Sequence, residues 1–173
     1  MGSTTLVSLE EYLHTTYRPD CDFLEGEVKE RNMGEQPHAH VQGILTRIFG
    51  NHRRDWNVRA LPEQRVQVRP NRFRIPDVCV LRGTDPKDRV IRFAPLLCIE
   101  VLSSDDTMRD MHERAADYRG LGVEHIWAID PWKRLGYTLS EETFVQPSDG
   151  VLRVPETPIA VSLAEVFAEL DEE

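Results

Sequence analysis

Two acids stand out because each interrupts an apolar run. Asp77 falls within Ile75-Pro76-Asp77-Val78-Cys79-Val80-Leu81, and Glu100 within Leu96-Leu97-Cys98-Ile99-Glu100-Val101-Leu102. Both runs read as buried strands, rich in β-branched and aliphatic side chains. An ionised carboxylate in such surroundings is costly unless something pairs with it. If the strands are antiparallel neighbours with Asp77 opposite Glu100, the two-residue period puts both carboxylates on one face. Cys79 then lies opposite Cys98 and Leu81 opposite Leu96. Two hard oxygen donors so placed are what Mg2+ or Mn2+ takes from a protein, with waters and a substrate phosphate completing the shell. Such an ion can make a bound water more acidic and offset charge on a phosphodiester. The competing reading is that Asp77 and Glu100 are strand residues satisfied by arginines such as Arg74 or Arg92.

Other chemistry-bearing residues can be ranged around that pair. Val41, Ile44, Leu45, Ile48 and Phe49 form one helical stripe, and His38, three before Val41 and seven before Leu45, lies on the same face. It is either a packed, hydrogen-bonded residue or a ligand or base facing the acids. His40 points elsewhere. Glu27, just past a predicted turn, is a solvated strand residue or an extra acid. Cys79 and Cys98 sit on buried strands, poor positions for a nucleophile. No serine or cysteine triad, phosphate-cradling glycine loop or zinc set is present in the pattern.

The elements that must position these groups follow from periodicity and caps. Ser8-Leu9-Glu10-Glu11 has capping-box spacing and opens a short helix past Tyr12 and Leu13. Asp22 to Val28 reads as a hairpin turning at Glu25-Gly26. A helix follows Pro37, with Gly50 as its stop. Trp56 to Leu61 and Gln64 to Arg69 read as strands, the second with Val66 and Val68 inward. Pro70-Asn71-Arg72 is a turn, after which the Asp77 strand begins. About a dozen polar residues then lead to Pro95, a length that in a compact domain implies a functional or mobile loop. Ser103 to Asp106 supplies caps and first-turn acids for a helix to about Leu121, closed by Gly120 or Gly122. His125 to Ile129 is the next strand, and strand, helix, strand in that order suggests a right-handed crossover. Strands near Leu135 to Leu139, Thr143 to Val145 and Val151 to Val154 precede a second capping box, Ser162 to Glu165.

The chain has 173 residues, enough for one domain, 1–173, with a real core. No apolar run approaches a membrane span, and Met1 to Thr5 lacks the regions of a signal peptide, so a cytoplasmic location without membrane contact is expected. Three cysteines, two of them in core strands, read as reduced thiols. A net charge of −9 argues against generic nucleic-acid binding. The charge is uneven, however. Arg47 to Arg74 holds eight arginines against Asp55 and Glu63. That basic segment could guide DNA to the site, or its alternate arginines could line the wet face of a sheet.

The order Glu11-Tyr12-Leu13, Gly26-Glu27, His38 to Gln42, Pro76-Asp77-Val78, Ile99-Glu100-Val101-Leu102-Ser103, Asp110 with Tyr118, Gly122-Val123, and Trp127 with Asp130-Pro131 resembles the PD-(D/E)XK nuclease superfamily. Within it, the chain is similar to the large bacterial group named putative restriction endonucleases. The resemblance implies an α/β (α+β) fold: a restriction-endonuclease-like core with a central mixed sheet flanked by helices, plus an N-terminal helix and hairpin. It implies a metal-dependent endonuclease acting on DNA. Asp77 and Glu100 would be the Mg2+ (or Mn2+) ligands, the Val101 carbonyl a third, and His38 a base or a group behind the ligands. In that group the superfamily lysine sits on the following helix, four before the tyrosine, which is Arg114 here. Arginine cannot guide a water by losing a proton and serves as a phosphate partner. On the bland side, Asp110 and Arg114 form an i, i+4 pair, and Tyr118 packs. The rival expectations are a catalytically impaired nucleic-acid-binding or protein-interaction module of the same fold, and a structural homo-oligomer such as a homodimer using Trp132 and the tail.

Overall fold

The structure is a computed structural model and describes residues 5–32 and 34–172. Ser8 caps α1 (Leu9–His14) by accepting from the Glu11 N–H. Strands β1 (Asp22–Leu24) and β2 (Glu27–Lys29) form the expected hairpin. Its turn residues Glu25 and Gly26 take φ of 47° and 96°, the paired left-handed geometry that a two-residue turn requires. Pro37 opens α2 (Gln36–Asn51), which runs one residue past Gly50.

Next come β3 (Val58–Pro62), β4 (Val66–Arg69), β5 (Arg72–Arg74), β6 (Val78–Arg82) and β7 (Leu97–Val101). The turn at Pro70-Asn71 leads first into β5, a separate short strand, and not directly into the Asp77 strand. Pro76 has no N–H to give a ladder, so β6 begins only at Val78 and Asp77 stands just before it. Helix α3 (Met108–Leu121) is capped by Thr107, which exchanges bonds with Asp110, and ends at Gly122 with φ 105°. The cap therefore falls beyond the expected Ser103 to Asp106 stretch. Strands β8 (His125–Asp130), β9 (Leu135–Ser140), β10 (Thr143–Val145), β11 (Val151–Arg153) and β12 (Ala160–Ser162) follow. Ser162 caps α4 (Leu163–Leu170).

The main sheet runs β10-β9-β8-β7-β6-β3, and the smaller one β2-β1-β5-β4. Within the main sheet β7 and β8 are parallel and the other pairs antiparallel, so the sheet is mixed. Helices α2 and α4 pack on one face through Val41, Leu45, Phe49, Val166 and Phe167 against Val78, Val80, Leu97 and Ile99. On the other face Ala115 and Tyr118 of α3, with Val66 and Val68, meet Cys79, Leu81 and Cys98. This is the expected α+β architecture, with helices on both sides of a central mixed sheet.

The smaller sheet closes over Tyr12, Phe23 and Phe73. It is tied to α3 by Arg74, whose Nη1 donates to Asp22 Oδ2 at 2.9 Å and whose Nε donates to Asp117 Oδ2 at 2.6 Å. Asp22 Oδ1 also accepts from the Ile75 N–H at 3.2 Å, fixing the backbone that delivers Asp77. The connection between β6 and β7 is not loose. Ile91 is buried and bridges β4, exchanging backbone hydrogen bonds with Arg65 and Gln67.

Candidate active site

Strands β6 and β7 pair antiparallel with Val78 opposite Ile99, Cys79 opposite Cys98 and Val80 opposite Leu97. Continued by one residue, that register sets Asp77 opposite Glu100. Both lie on the face covered by α3, because they share the side of Cys79 and Cys98. They are 2% and 3% exposed. The two cysteines remain thiols.

Each acid is met by cations and donors. Asp77 Oδ1 accepts from Arg31 Nη2 at 2.5 Å, and His38 Nε2 lies 3.3 Å from the same oxygen. Asp77 Oδ2 accepts from the Val101 N–H at 2.7 Å. Burial opposes the charged form of Asp77, yet the His38 hydrogen bond, the Arg31 guanidinium and the Val101 amide together hold its carboxyl below the usual carboxylate range. The reciprocal effect raises His38: burial favours the neutral ring, and the hydrogen bond and charge of Asp77 outweigh it.

Glu100 Oε2 accepts from Arg114 Nη1 at 3.2 Å, and Tyr118 donates its hydroxyl to Oε1. Arg114 Nη2 reaches Asp106 Oδ1 at 3.3 Å. Burial pushes Glu100 up to about 7, and the neighbouring charge of Asp77 adds to the rise against the opposing pull of Arg114. The two acids thus separate: Asp77 stays ionised, while Glu100 holds or releases a proton near neutrality.

The expected residues Asp77, Glu100, His38 and Arg114 are therefore brought together. Val101 contributes its N–H to Asp77. The pairings differ from expectation in four respects. Arg74 and Arg92 do not serve the acids: Arg74 is held by Asp22 and Asp117, and Arg92 by Gln67. Asp110 is occupied by its cap, so Arg114 turns to Glu100 and Asp106. Tyr118 touches the acid and is not mere packing. Arg31 was not singled out by the sequence pattern, because it stands in a polar stretch without periodicity, between a hairpin and a helix. Glu27 is exposed, as a solvated strand residue would be.

The basic segment divides. Arg65, Arg72 and Arg74 are consumed by Asp20, Asp117, Glu25, Glu113 and Asp22. Exposed Arg53 and Arg54 line a cleft with Arg59 and Lys87, near the Val58 and Arg82 end of the β3–β6 pair and not near Asp77.

Does this donor set suit Mg2+ or Mn2+? Two opposed carboxylates supply the hard oxygens that such ions take from protein. Among the described residues, no group of three or more His, Cys, Asp or Glu is gathered as a complete protein cage. An ion that keeps several waters and a substrate oxygen does not need one. The donor chemistry fits, and Arg31 is the group bonded to Asp77 Oδ1.

A family model described as "Putative restriction endonuclease", the Uma2 family, matches residues 9–164. Among solved structures, a putative nuclease belonging to DUF820 from Anabaena variabilis superposes with a TM-score of 0.80 at 20% identity, covering 95% of this chain and 99% of that one. A DrdV–DNA complex is matched with a TM-score of 0.42 at 12% identity, over 76% of this chain and 11% of that one. No curated protein matches the chain.

Proposed function

The chain belongs to the Uma2 family of putative restriction endonucleases, and on that premise we propose that it is a metal-dependent endonuclease hydrolysing DNA phosphodiester bonds, residues 1–173 forming one nuclease-like domain. The observation that carries the reading is the register that faces Asp77 with Glu100 on a buried sheet. Packing alone gives no reason to bury two acids side by side. Asp77 and Glu100 would hold Mg2+ or Mn2+, with the Val101 carbonyl as a further oxygen, and the bound ion would supply Lewis acidity toward phosphate and a more acidic water.

The chain's own residues account for the rest. Arg114 stays charged at any working pH, because burial is outweighed by the negative charges of Glu100 and Asp106. It is the standing positive group for phosphate charge. His38, whose ring is fixed by Asp77, would accept a proton from an attacking water or hold that water in line. Tyr118 orients Glu100.

The test is cleavage of supercoiled and single-stranded DNA in Mg2+ or Mn2+. The parent nicks both in a reaction abolished by chelation, and Asp77→Asn and Glu100→Gln each lose about a hundred-fold or more. An Asp77→Asn protein that cuts as fast as the parent would end the proposal.

A second reading is favoured by the counter-ions: Arg31 and Arg114 already neutralise much of the acid pair. A nucleic-acid-binding module of this fold without turnover would bind DNA without metal dependence and with a steep salt slope. No helix among the described residues is long and apolar enough to cross a membrane.

A further inference from the structure

We propose that the Arg31 guanidinium and a divalent cation are alternative counter-ions of Asp77, so that the cation enters the acid pair only as Arg31 leaves. The proposal rests on the metal-dependent reading above and names the residue that governs access to that site.

The first observation is place. Arg31 Nη2 lies 2.5 Å from Asp77 Oδ1, the side chain is 6% exposed, and the guanidinium also feels the charges of Glu100 and Asp22. Arg31 offers only donors and keeps its proton, so it is a permanent positive charge among the acids. Of the two groups on Oδ1, Arg31 is the closer and the permanently charged one, with His38 Nε2 at 3.3 Å.

The second is charge. Asp77, Glu100 and Asp106 already meet two fixed positive charges, Arg31 and Arg114, in direct ion pairs. Much of the room for a cation is taken by these side chains. A doubly charged ion added without an expulsion would set like charges against one another in a buried space, where water screens them little.

The third is that Arg31 is incompletely held. Its Nη1 is buried with no hydrogen-bond partner among the described residues, so withdrawal to solvent restores donors that the paired state leaves idle. The segment around it is fastened by polar links. Asn32 Nδ2 donates to Asp106 Oδ1 at 3.3 Å, and Glu35 accepts from the Ser104 N–H at 3.1 Å and from the Ser104 hydroxyl at 2.5 Å.

The test is Mn2+ binding to the full chain, read by calorimetry and electron paramagnetic resonance, so that it does not depend on cleavage. Arg31→Met and Arg31→Gln are expected to bind Mn2+ about ten-fold tighter than the parent or better, and Asp77→Asn to lose the site. Equal or weaker binding by folded Arg31→Met overturns the exchange while leaving the metal reading intact. Absence of Mn2+ binding from the parent and from Arg31→Met alike overturns the metal reading, and this inference with it.

Discussion

Tyr118 on α3 donates its phenolic hydroxyl to Oε1 of Glu100, and both groups are buried. Burial and the facing Glu100 charge raise the phenol well above its ordinary range, so it is a neutral donor throughout the accessible pH range. The bond favours the charged form of Glu100. Tyr118→Phe should therefore send the Glu100 pKa above its present value of about 7 and cost about 1–3 kcal/mol of stability, the range for an orphaned buried acceptor. Carbon NMR of the Glu100 carboxyl reads the shift. A titration that stays put in Tyr118→Phe would show that the phenol does not tune the acid.

The same carboxyl sets how stability depends on pH. Its folded pKa of about 7 lies above the usual 4.5, so between those values the folded chain keeps a proton that the unfolded chain has lost. Stability linked to Glu100 is thus fully present below about pH 4.5 and is lost as pH rises through 7. At ~1.4 kcal/mol per unit the loss is on the order of 3 kcal/mol. His38, also raised, loses its contribution in the same direction. Asp77, lowered, acts only on the acid side. The gain in melting temperature from Glu100→Gln should therefore be larger at pH 8 than at pH 5. Parallel pH profiles for parent and variant would contradict the raised pKa.

Asp77, Arg31 and His38 form a buried charge group, and removing one member strands the others. Asp77→Ala should cost about 3–5 kcal/mol, because the Arg31 guanidinium is then buried without its carboxylate. Arg31→Met combined with Asp77→Ala should recover a good part of that cost. The check is a double-mutant cycle by denaturant unfolding. Strict additivity of the two substitutions would mean that the pair does not interact in the folded state.

How much of this was readable beforehand depends on whether the governing force is periodic. The opposition of Asp77 and Glu100 follows from alternation along two strands, and its register was set by the need to bury Val78, Val80, Leu97 and Ile99 together. His38 was legible for a similar reason, since helical spacing put it on the stripe of Val41 and Leu45. The choice of counter-ions was not. Helical spacing offers Asp110 to Arg114, but Asp110 bonds Thr107 at the helix start, a local competition that leaves Arg114 free to turn inward. Arg31 reaches Asp77 across 46 positions from a stretch without periodicity. The connection between β6 and β7 also misled, because buried Ile91 bridges it to β4 and Val90, Phe93 and Ala94 pack beside it, apolar anchors scattered without a period.

Arg114 is where the chain departs most from the nuclease pattern it resembles, and its geometry says what a lysine would change. The guanidinium spans two acids at once, Glu100 at 3.2 Å and Asp106 at 3.3 Å. An ammonium in its place could serve only one of them with comparable geometry. Arg114→Met removes the positive group bonded to Glu100 and should abolish cleavage or reduce it by about a hundred-fold or more. Arg114→Lys should keep the charge and the fold and weaken the tie to Asp106, so that cleavage falls less than in Arg114→Met. Rates of supercoiled DNA nicking from pH 6 to 9 separate the three proteins. If Arg114→Met cuts at the parent rate across that range, this side chain serves the fold and takes no part in the chemistry.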